Sequence, residues 1–287
     1  LGGVDSFVGR LAPLLAHKAS ATHQLKERKE MAIDLNSIRK TTDDRPPMVT
    51  IYGTSGVGKT TACAIKDSVW IQTEQGEGML ELNAFPLAKS LQDVLDAVQS
   101  LIEHESDYNL LVIDSLDHLE PLIWDQLCVE NKWPNIESAG YGKGYTVAVS
   151  LWRVLLTKLD ELRTKRKIAI ALIAHSHLRK ELNGEHGDID KYDLKINKKA
   201  SSLIVETCDA VFFAKHEIVV RKEEKNFGGS RLKGTATGNR IMATAETPHF
   251  VAKNRFNLPE EIPLDWMAFA KAKKAAKAKL NQPKKEA

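Results

Sequence analysis

The chain has 287 residues, of which 43% are hydrophobic and 28% are charged, a composition typical of globular proteins rather than disordered or fibrous ones. Seven lysines and one glutamate give residues 271–287 a charge of +6, so the remainder of the chain sums to −3 although the whole carries +3. The three cysteines are far apart in sequence, which argues against a disulfide framework and against a cysteine zinc site. No apolar run reaches the roughly 18 residues that span a bilayer, so we expect a cytoplasmic protein without membrane contact.

Residues 1–30 mix short apolar pieces with lysine and histidine and show no clear helical period. They also lack the layout of a signal peptide. We interpret them as an N-terminal extension upstream of a natural start at Met31. The alternative is a genuine N-terminal helix that packs on the core or on a neighbouring subunit. The main domain is predicted over residues 31–265.

Apolar, β-rich runs recur along the chain, with helical stretches between most of them. The predicted strands are residues 48–52, 69–73, 110–114, 168–175 and 210–214. These runs are nearly all apolar, as expected for strands that are covered on both faces. The alternation predicts an α/β fold in which a mainly parallel sheet is flanked by helices.

The pattern changes after residue 214. Short alternating pieces at residues 217–222 and 240–245 flank a glycine-rich stretch and predict antiparallel hairpins at one edge of the sheet. Earlier in the chain, leucines and valines at helical spacing predict helices over residues 87–103 and 146–164. Residues 266–287 are predicted to form a basic Lys/Ala tail. From residue 271 onward this tail has no core-facing stripe, which predicts frayed helix or disorder.

A glycine-rich loop directly follows the first predicted strand. Residues 53–60 read G-T-S-G-V-G-K-T, the G-x-x-x-x-G-K-T pattern, placed between a strand and a helical segment. Backbone N–H groups of such a loop face an anion, and the helix adds the positive end of its dipole. Lys59 would reach the β- and γ-phosphates of ATP, and Thr60 would ligate Mg²⁺. The alternative is a glycine turn beside a surface lysine. The full set of predicted nucleotide-binding residues is Gly53, Thr54, Ser55, Gly56, Val57, Gly58, Lys59, Thr60 and Thr61.

Polar residues at the ends of three other strands complete the predicted site. Asp114 would hold a water on the metal, or alternatively cap the next helix. Glu74 would take a proton from the attacking water, unless it is only a solvated loop residue. His175 ends the fourth strand, where it could hydrogen-bond the γ-phosphate. His175 and His177 could instead bind a metal, although no third ligand lies nearby in sequence.

The order of these features resembles the RecA-type ATPases, and more narrowly the phage nucleotide-binding ATPases of the Sak group of single-strand annealing recombinases. The likeness covers most of residues 31–265. Its motifs are the glycine loop, T-E-Q-G at 73–76, V-I-D-S at 112–115, I-A-H-S-H at 173–177 and A-K-N-R-F at 252–256. In AAA+ proteins and large terminases the catalytic base usually follows the metal-binding aspartate directly. Ser115 occupies that place here, which argues against both.

The resemblance implies Mg²⁺-dependent ATP hydrolysis with Glu74 as the catalytic base. His175 stands where the family usually has a glutamine that senses the γ-phosphate. The A-K-N-R-F piece is similar to the K-N-R-F-G motif of the RadA branch, with Asn257 in place of the glycine. Basic residues there reach into a neighbouring subunit's site, so Lys253 and Arg255 are candidate trans-acting cations. The alternative is a pair of ordinary surface cations.

The family binds single-stranded DNA through two loops, which the resemblance places at residues 131–145 and 178–200. In the first, Tyr141 and Tyr145 could stack on bases while Lys143 meets a phosphate. The alternative for both loops is a merely soluble surface, and the lysine-rich tail could attract DNA or only maintain solubility. The basic candidates in the second loop are Arg179, Lys180, Lys195, Lys198 and Lys199.

Three hypotheses for function follow. The first is an ATP-hydrolysing recombination protein that assembles head to tail on single-stranded DNA and promotes annealing or strand exchange. It would act in a bacterial host cell, with a single-strand-binding protein as a further partner. The second is a module in which nucleotide only locks the assembly and annealing needs no turnover. The third is a RadA-like or helicase-like ring motor. The combination of Lys59, Glu74 and Asp114 favours turnover over mere binding.

Overall fold

The structure, a computed structural model, describes residue 38 and residues 44–76, 78, 80–181, 187–224 and 230–280, with the backbone alone for 220–224 and 230–233. The chain divides into two units, Leu1–Asp44 and Arg45–Ala287. The predicted N-terminal extension and the start at Met31 lie outside the described residues, so the fold is that of the second unit. No helix in the described part of the chain is long and apolar enough to cross a membrane.

A single sheet forms the centre of this unit. Its strands follow the order β10-β8-β7-β1-β5-β4-β2-β3, with β6 paired to β5 and β9 paired to β7. The strands from β7 to β3 run parallel, whereas β8 pairs antiparallel with β7 and β10 pairs antiparallel with β8. The predicted α/β fold, with a mainly parallel sheet and antiparallel strands at one edge, is therefore confirmed. The strand bounds are β1 Met48–Gly53, β2 Ser68–Gln72, β3 Asn83–Ala84, β4 Leu110–Asp114, β5 Ala169–Glu181, β6 Ile189–Leu194, β7 Ala210–Glu224, β8 Ser230–Ala243, β9 Lys253–Asn254 and β10 Glu261–Pro263.

Helices cover both faces of the sheet. Side chains alternate along β1, so that Met48 and Tyr52 pack with α2 to α5, while Val49 and Ile51 pack with α1 and α6. Such double coverage explains why the parallel strands are almost wholly apolar. The helix bounds are α1 Lys59–Cys63, α2 Leu91–Glu103, α3 Leu116–Asn131, α4 Lys143–Lys165, α5 Lys198–Thr207 and α6 Trp266–Leu280.

Two antiparallel hairpins extend beyond the carboxyl edge of the parallel sheet. β1 ends at Gly53, which is level with His175 of β5 on one side and Ala214 of β7 on the other. Both neighbours continue past that point, β5 to pair with β6 and β7 to pair with β8. The chain that follows β1 therefore leaves the sheet between the bases of two hairpins.

Some predicted strand and loop boundaries differ from the structure, because the local sequence does not show which distant strand a segment pairs with. The segment predicted as a loop after His175 is the outer half of β5 followed by β6 and α5, and the piece at 217–222 is part of β7. The segment beginning at residue 271, predicted as frayed helix or disorder, is helical up to Leu280, and it does have a packed residue, since Ala276 is buried. Its helix α6 buries Trp266, Phe269 and Ala276. Residues 281–287 lie outside the described residues.

Candidate functional site

The loop after β1 has a shape that requires glycine. A Cβ at Gly53 would lie 2.3 Å from the carbonyl oxygen of Ala214, so only glycine fits beside β7. Gly56 and Gly58 have φ angles of 75° and 98°, in the left-handed region where a side chain is strained. The glycine spacing of the sequence motif therefore reflects a close approach at one position and backbone curvature at two others.

Lys59 lies at the base of this loop and is buried. Its Nζ donates hydrogen bonds to the carbonyl oxygens of Gly53 (3.1 Å) and Thr54 (3.0 Å). Burial lowers the pKa of Lys59, and the nearby carboxylates of Asp114, Asp117 and Glu74 oppose that shift. The helix α1, which begins at Lys59, has only five residues. We therefore assign most of the predicted anion attraction to the loop's N–H groups and Lys59, because the dipole of so short a helix is small.

Thr60 and Asp114 meet across the loop, although 54 residues separate them. The Thr60 hydroxyl Oγ1 donates to the Oδ2 of Asp114 at 2.8 Å. Burial raises the pKa of Asp114, and the hydrogen bond from Thr60 opposes the shift. A hydroxyl and a carboxylate are the hard oxygen donors that Mg²⁺ prefers, so the two residues fit a magnesium ion. β4 brings Asp114 to the carboxyl edge of the sheet, level with Ile173 of β5.

Glu74 follows β2 and is held near Asp114 by the start of α3. The Ser115 hydroxyl donates to its Oε1 at 2.8 Å, and Nδ1 of His118 lies 3.2 Å from its Oε2. Thr73 links the same two segments, because its hydroxyl donates to the Ser115 carbonyl and accepts from the Ser115 N–H. These contacts orient the carboxylate of Glu74 toward the phosphate loop, whose cavity it lines.

His175 is positioned by Asp117 in the first turn of α3. The backbone N–H of His175 donates to Oδ1 of Asp117 at 2.9 Å, and Nδ1 lies 2.8 Å from Oδ2. Hydrogen bonds from His175 lower the pKa of Asp117 to about 2 despite its burial, so this carboxylate is ionised and can only accept. Nδ1 therefore bears the hydrogen, which leaves Nε2 for a ligand. Sequence reasoning missed Asp117 and His118, although both follow Asp114 within four residues.

The two histidines of the I-A-H-S-H motif have separate surroundings. Nε2 of His177 accepts from the guanidinium of Arg179 at 2.7 Å, away from the pair formed by His175 and Asp117. Glu74, His118 and His175 instead offer ligand atoms that all lie within 4.8 Å of one another. The structure thus brings together a possible metal-ligand trio that the sequence did not suggest. Its atoms also serve the hydrogen bonds described above.

One cavity of about 450 Å³ joins these residues. The predicted residues in its lining are Ser55, Gly56, Gly58, Lys59, Thr60, Thr61, Glu74, Asp114 and His175. Its volume lies in the range of small-molecule sites. Arg240 of β8 also lines this cavity and was not identified from sequence. No local motif marks it, since its approach depends on the β7–β8 hairpin.

Lys253 and Arg255 lie near the amino ends of the parallel strands, whereas the phosphate loop lies at their carboxyl ends. β9 pairs with Ala210 and Val211 at the start of β7, about four strand residues, or roughly 13 Å, from the level of Gly53. Neither cation lines the cavity of its own chain. Nζ of Lys253 donates to the carbonyl oxygens of Val205 (2.8 Å) and Glu206 (2.6 Å) near the end of α5. Lys253 thus caps a helix, and Arg255 is the more accessible of the two predicted trans-acting cations.

The first predicted DNA segment presents one fully exposed aromatic ring. Tyr141 stands between Gly140 and Gly142, and its relative exposure is 104%. Lys143 begins α4 beside it and is exposed. Tyr145, by contrast, packs against Trp124, with 5.3 Å between ring centroids, and its hydroxyl donates to Glu137.

The second predicted DNA segment is not one continuous loop. Arg179 is bound within the β5–β6 hairpin by the Ile196 carbonyl and Asp193, so it is a structural residue rather than a free cation. Lys180, Lys195 and Lys198 are exposed. Lys199 is also exposed and donates to the hydroxyl of Thr146. That contact joins the beginning of α5 to the beginning of α4.

Glu120 is a buried carboxylate behind the site. Both of its oxygens accept from the backbone N–H of Asn197, at 3.0 and 2.9 Å, just before α5. Burial raises its pKa to about 7, while this hydrogen bond and Arg179 oppose the shift. Because the folded protein holds the proton more tightly than the unfolded chain, stability is greatest below the ordinary glutamate pKa. It is then lost as the pH rises through 7.

We expect Glu120→Gln to remove this pH dependence. Between pH 5 and pH 8 the wild type should lose up to about 3 kcal/mol of unfolding free energy more than the variant. Urea unfolding at both pH values measures the difference, with Asp125→Asn, an exposed position on α3, as the matched control. Equal pH dependence in wild type and Glu120→Gln would contradict the assignment.

Comparison with known proteins places the chain in a family. The sequence profile of the AAA_24 family, described as an AAA domain, matches residues 45–256. A search of curated proteins finds no match. Among solved structures, the crystal structure of the RadB recombinase aligns with 14% identity and a TM-score of 0.41, over 76% of this chain and 88% of that one. Because the family match spans most of the chain and includes the phosphate loop, Glu74, Asp114 and His175, the chain belongs to the AAA domain family.

Proposed function

We propose that this protein is a Mg²⁺-dependent ATPase of the RecA type that acts on single-stranded DNA in annealing or strand exchange, as in the phage Sak group. The observation on which the proposal depends is that residues from four separate strand ends line one cavity. These residues are Lys59, Thr60, Glu74, Asp114 and His175. Family membership supports a nucleotide-binding domain, and the action on DNA follows from the sequence resemblance.

Each residue in the cavity has a chemical task that its surroundings favour. Lys59 would exchange its two carbonyl contacts for phosphate oxygens, which are stronger acceptors because they are charged. Thr60 and Asp114 would hold Mg²⁺, which supplies charge neutralisation at the phosphates. Glu74 would accept the proton of the attacking water, with Ser115 and His118 orienting its carboxylate. Nε2 of His175 would contact the terminal phosphate.

The position of Arg255 supports a site completed by a neighbouring subunit. Arg255 lies at the amino edge of the sheet, whereas the phosphate loop lies at the carboxyl edge. A head-to-tail assembly in which these two edges meet would bring Arg255 of one subunit to the phosphate loop of the next. A cation that cannot reach its own phosphate loop can reach that of the next copy. The assembly would be a filament or a ring, which electron microscopy would distinguish.

The surface around Tyr141 supports a site for single-stranded DNA. An exposed aromatic ring offers a stacking face to any base, and Lys143 beside it can meet a backbone phosphate. The hydrogen bond between Lys199 and Thr146 brings the second predicted segment to the same area. Tyr141, Lys143 and Lys199 are thus the strongest DNA-binding candidates, ahead of Tyr145 and Arg179.

Phosphate release with and without single-stranded DNA tests the proposed function. We expect the wild type to hydrolyse ATP and DNA to increase the rate, while Glu74→Gln should show no DNA-stimulated release. Annealing that proceeds equally well in Glu74→Gln would instead favour the nucleotide-gated module without turnover. Hydrolysis that double-stranded DNA stimulates as strongly would contradict the single-strand preference.

We expect Arg255→Ala to lower turnover while nucleotide binding stays nearly intact. An arginine supplied in trans stabilises charge in the transition state, so its loss should cost on the order of a hundredfold or more in kcat. Mixing Arg255→Ala with Glu74→Gln should restore some activity. One interface then combines the intact Glu74 of the first variant with the intact Arg255 of the second. Activity is measured over a range of mixing ratios.

Lys253→Ala serves as the comparison for that experiment. Since Lys253 caps α5, its loss should lower the melting temperature, and mixing with Glu74→Gln should restore no more activity than dilution predicts. Co-assembled Arg255→Ala and Glu74→Gln subunits that remain inactive at every ratio would refute the trans role.

A further inference from the structure

Arg240 reaches the phosphate loop from a distant part of the chain. It lies on β8 opposite His216 of β7, and its carbonyl oxygen accepts from the Leu264 N–H at 2.9 Å. The backbone of Arg240 is thus fixed on both sides. Its side chain touches the loop, because a Cβ on Gly58 would lie 2.3 Å from Nη1. The same atom is 3.5 Å from the Val57 carbonyl oxygen.

Most N–H donors of the Arg240 guanidinium have no hydrogen-bond partner among the described residues. Lys59 donates to the carbonyl oxygens of Gly53 and Thr54, and Arg240 forms no ion pair with any described carboxylate. Its hydrogen bond to Val57 is long, and a guanidinium has five N–H donors in a planar fork. These donors line the cavity beside the glycine-rich loop, whose backbone N–H groups suit a polyanion. Planar, bidentate recognition of phosphate is the chemistry for which arginine is best suited.

We propose that Arg240 is a phosphate ligand supplied in cis, binding an oxygen of the nucleotide's phosphate chain from the rim of the loop. The inference rests on the proposed function, since it needs a nucleotide in the cavity. It adds a second cation from the same chain to Lys59, independently of any cation from a neighbouring subunit. A subunit on its own would then neutralise much of the phosphate charge before assembly.

A DNA backbone presents the same phosphate chemistry, so the test is made without DNA. Equilibrium binding of ATP is measured by titration calorimetry in the Glu74→Gln background, where turnover does not intervene. Adding Arg240→Ala should weaken ATP binding about tenfold or more, the size expected for a charge-assisted contact. Arg240→Gln, which keeps most of the side-chain length, should be similarly weak, and Arg240→Lys should recover part of the affinity.

Two controls separate this contact from other effects. Arg153→Ala removes an exposed arginine on α4, outside the cavity, and should leave ATP affinity unchanged. Lys59→Ala should lose ATP binding. If Lys59→Ala lost ATP binding while Arg240→Ala and Arg240→Gln bound ATP like the parent protein, the Arg240 inference would be overturned. The proposed function would be left standing. Equal ATP binding by Lys59→Ala would overturn the proposed function itself.

The cis assignment has its own test. Lys59→Ala subunits bind no nucleotide of their own but keep an intact Arg240. Added in excess to Arg240→Ala subunits, they should not restore ATP affinity if each Arg240 serves its own chain. Restored affinity would show that Arg240 acts on a neighbouring subunit and would overturn the assignment. Arg240→Ala that binds ATP like the wild type but binds single-stranded DNA more weakly in a separate titration would assign the contact to a DNA phosphate and overturn the inference.

Discussion

Lys59→Ala is expected to abolish ATP hydrolysis and to weaken ATP binding by at least about a hundredfold, because it removes the buried cation of the phosphate loop. The surroundings of Lys59 give a second reason to expect this loss. The carboxylates of Asp114, Asp117 and Glu74 lie near enough to Lys59 to affect its pKa, so its loss leaves their negative charge beside the cavity with one fewer positive charge to balance it. Repulsion then adds to the missing hydrogen bonds.

Calorimetric binding and phosphate release measure this effect. Lys66→Ala is the matched control, because Lys66 is an exposed lysine close to the loop in sequence. It should bind and hydrolyse ATP like the wild type. Lys59→Arg should fold but recover little activity, since the larger guanidinium must fit where Nζ now contacts the carbonyls of Gly53 and Thr54. Full ATPase activity in Lys59→Ala would exclude the assigned site.

Glu74→Gln is expected to keep ATP binding and to lose turnover by roughly a hundredfold or more, the usual contribution of a general base. Glutamine keeps the shape of the side chain and can still accept the hydrogen bond from Ser115. It cannot accept a proton from water. The expected signature is an unchanged dissociation constant with a strongly reduced kcat, which separates a base from a residue that only binds nucleotide.

Glu81→Gln is the matched control for this change, since Glu81 is exposed, close in sequence and outside the cavity lining. It should hydrolyse ATP at the wild-type rate. Glu77 is another glutamate close to Glu74 in sequence, and it lies outside the described residues. If Glu74→Gln kept its full rate while Glu77→Gln became inactive, the base would have been assigned to the wrong residue.

Local sequence was sufficient for the phosphate loop and for the strands that support it. The spacing of Gly53, Gly56 and Gly58 is a property of consecutive residues, since each must satisfy a backbone angle or a close approach in one short segment. Strands buried on both faces are read from continuous apolar runs, and the observed β1, β2 and β4 lie within one residue of their predicted bounds. The fold class followed from the alternation of these runs with helices.

Pairing between distant segments decided the remainder. β5 continues past His175 because β6 is available to satisfy its backbone hydrogen bonds, and nothing in residues 176–181 alone distinguishes that strand from a loop. Pairing between β7 and β8 likewise produces a hairpin beside the phosphate loop that is longer than the pieces predicted at residues 217–222 and 240–245. The packing of helix α6 was not predicted, because it depends on only three buried side chains, Trp266, Phe269 and Ala276, which form no apolar stripe that a sequence pattern reveals.

The sequence by itself identified the candidates for phosphate chemistry: Lys59, Thr60, Glu74 and Asp114 stand in motifs whose spacing is short. Only the tertiary structure decided what surrounds them. His118 and Asp117 orient Glu74 and His175, Lys253 is used as a helix cap, and Arg240 comes to the cavity from β8. The physical reason is that a backbone turn depends on neighbouring residues. A charge is compensated, by contrast, by whatever the fold brings within a few ångströms, at any separation along the chain.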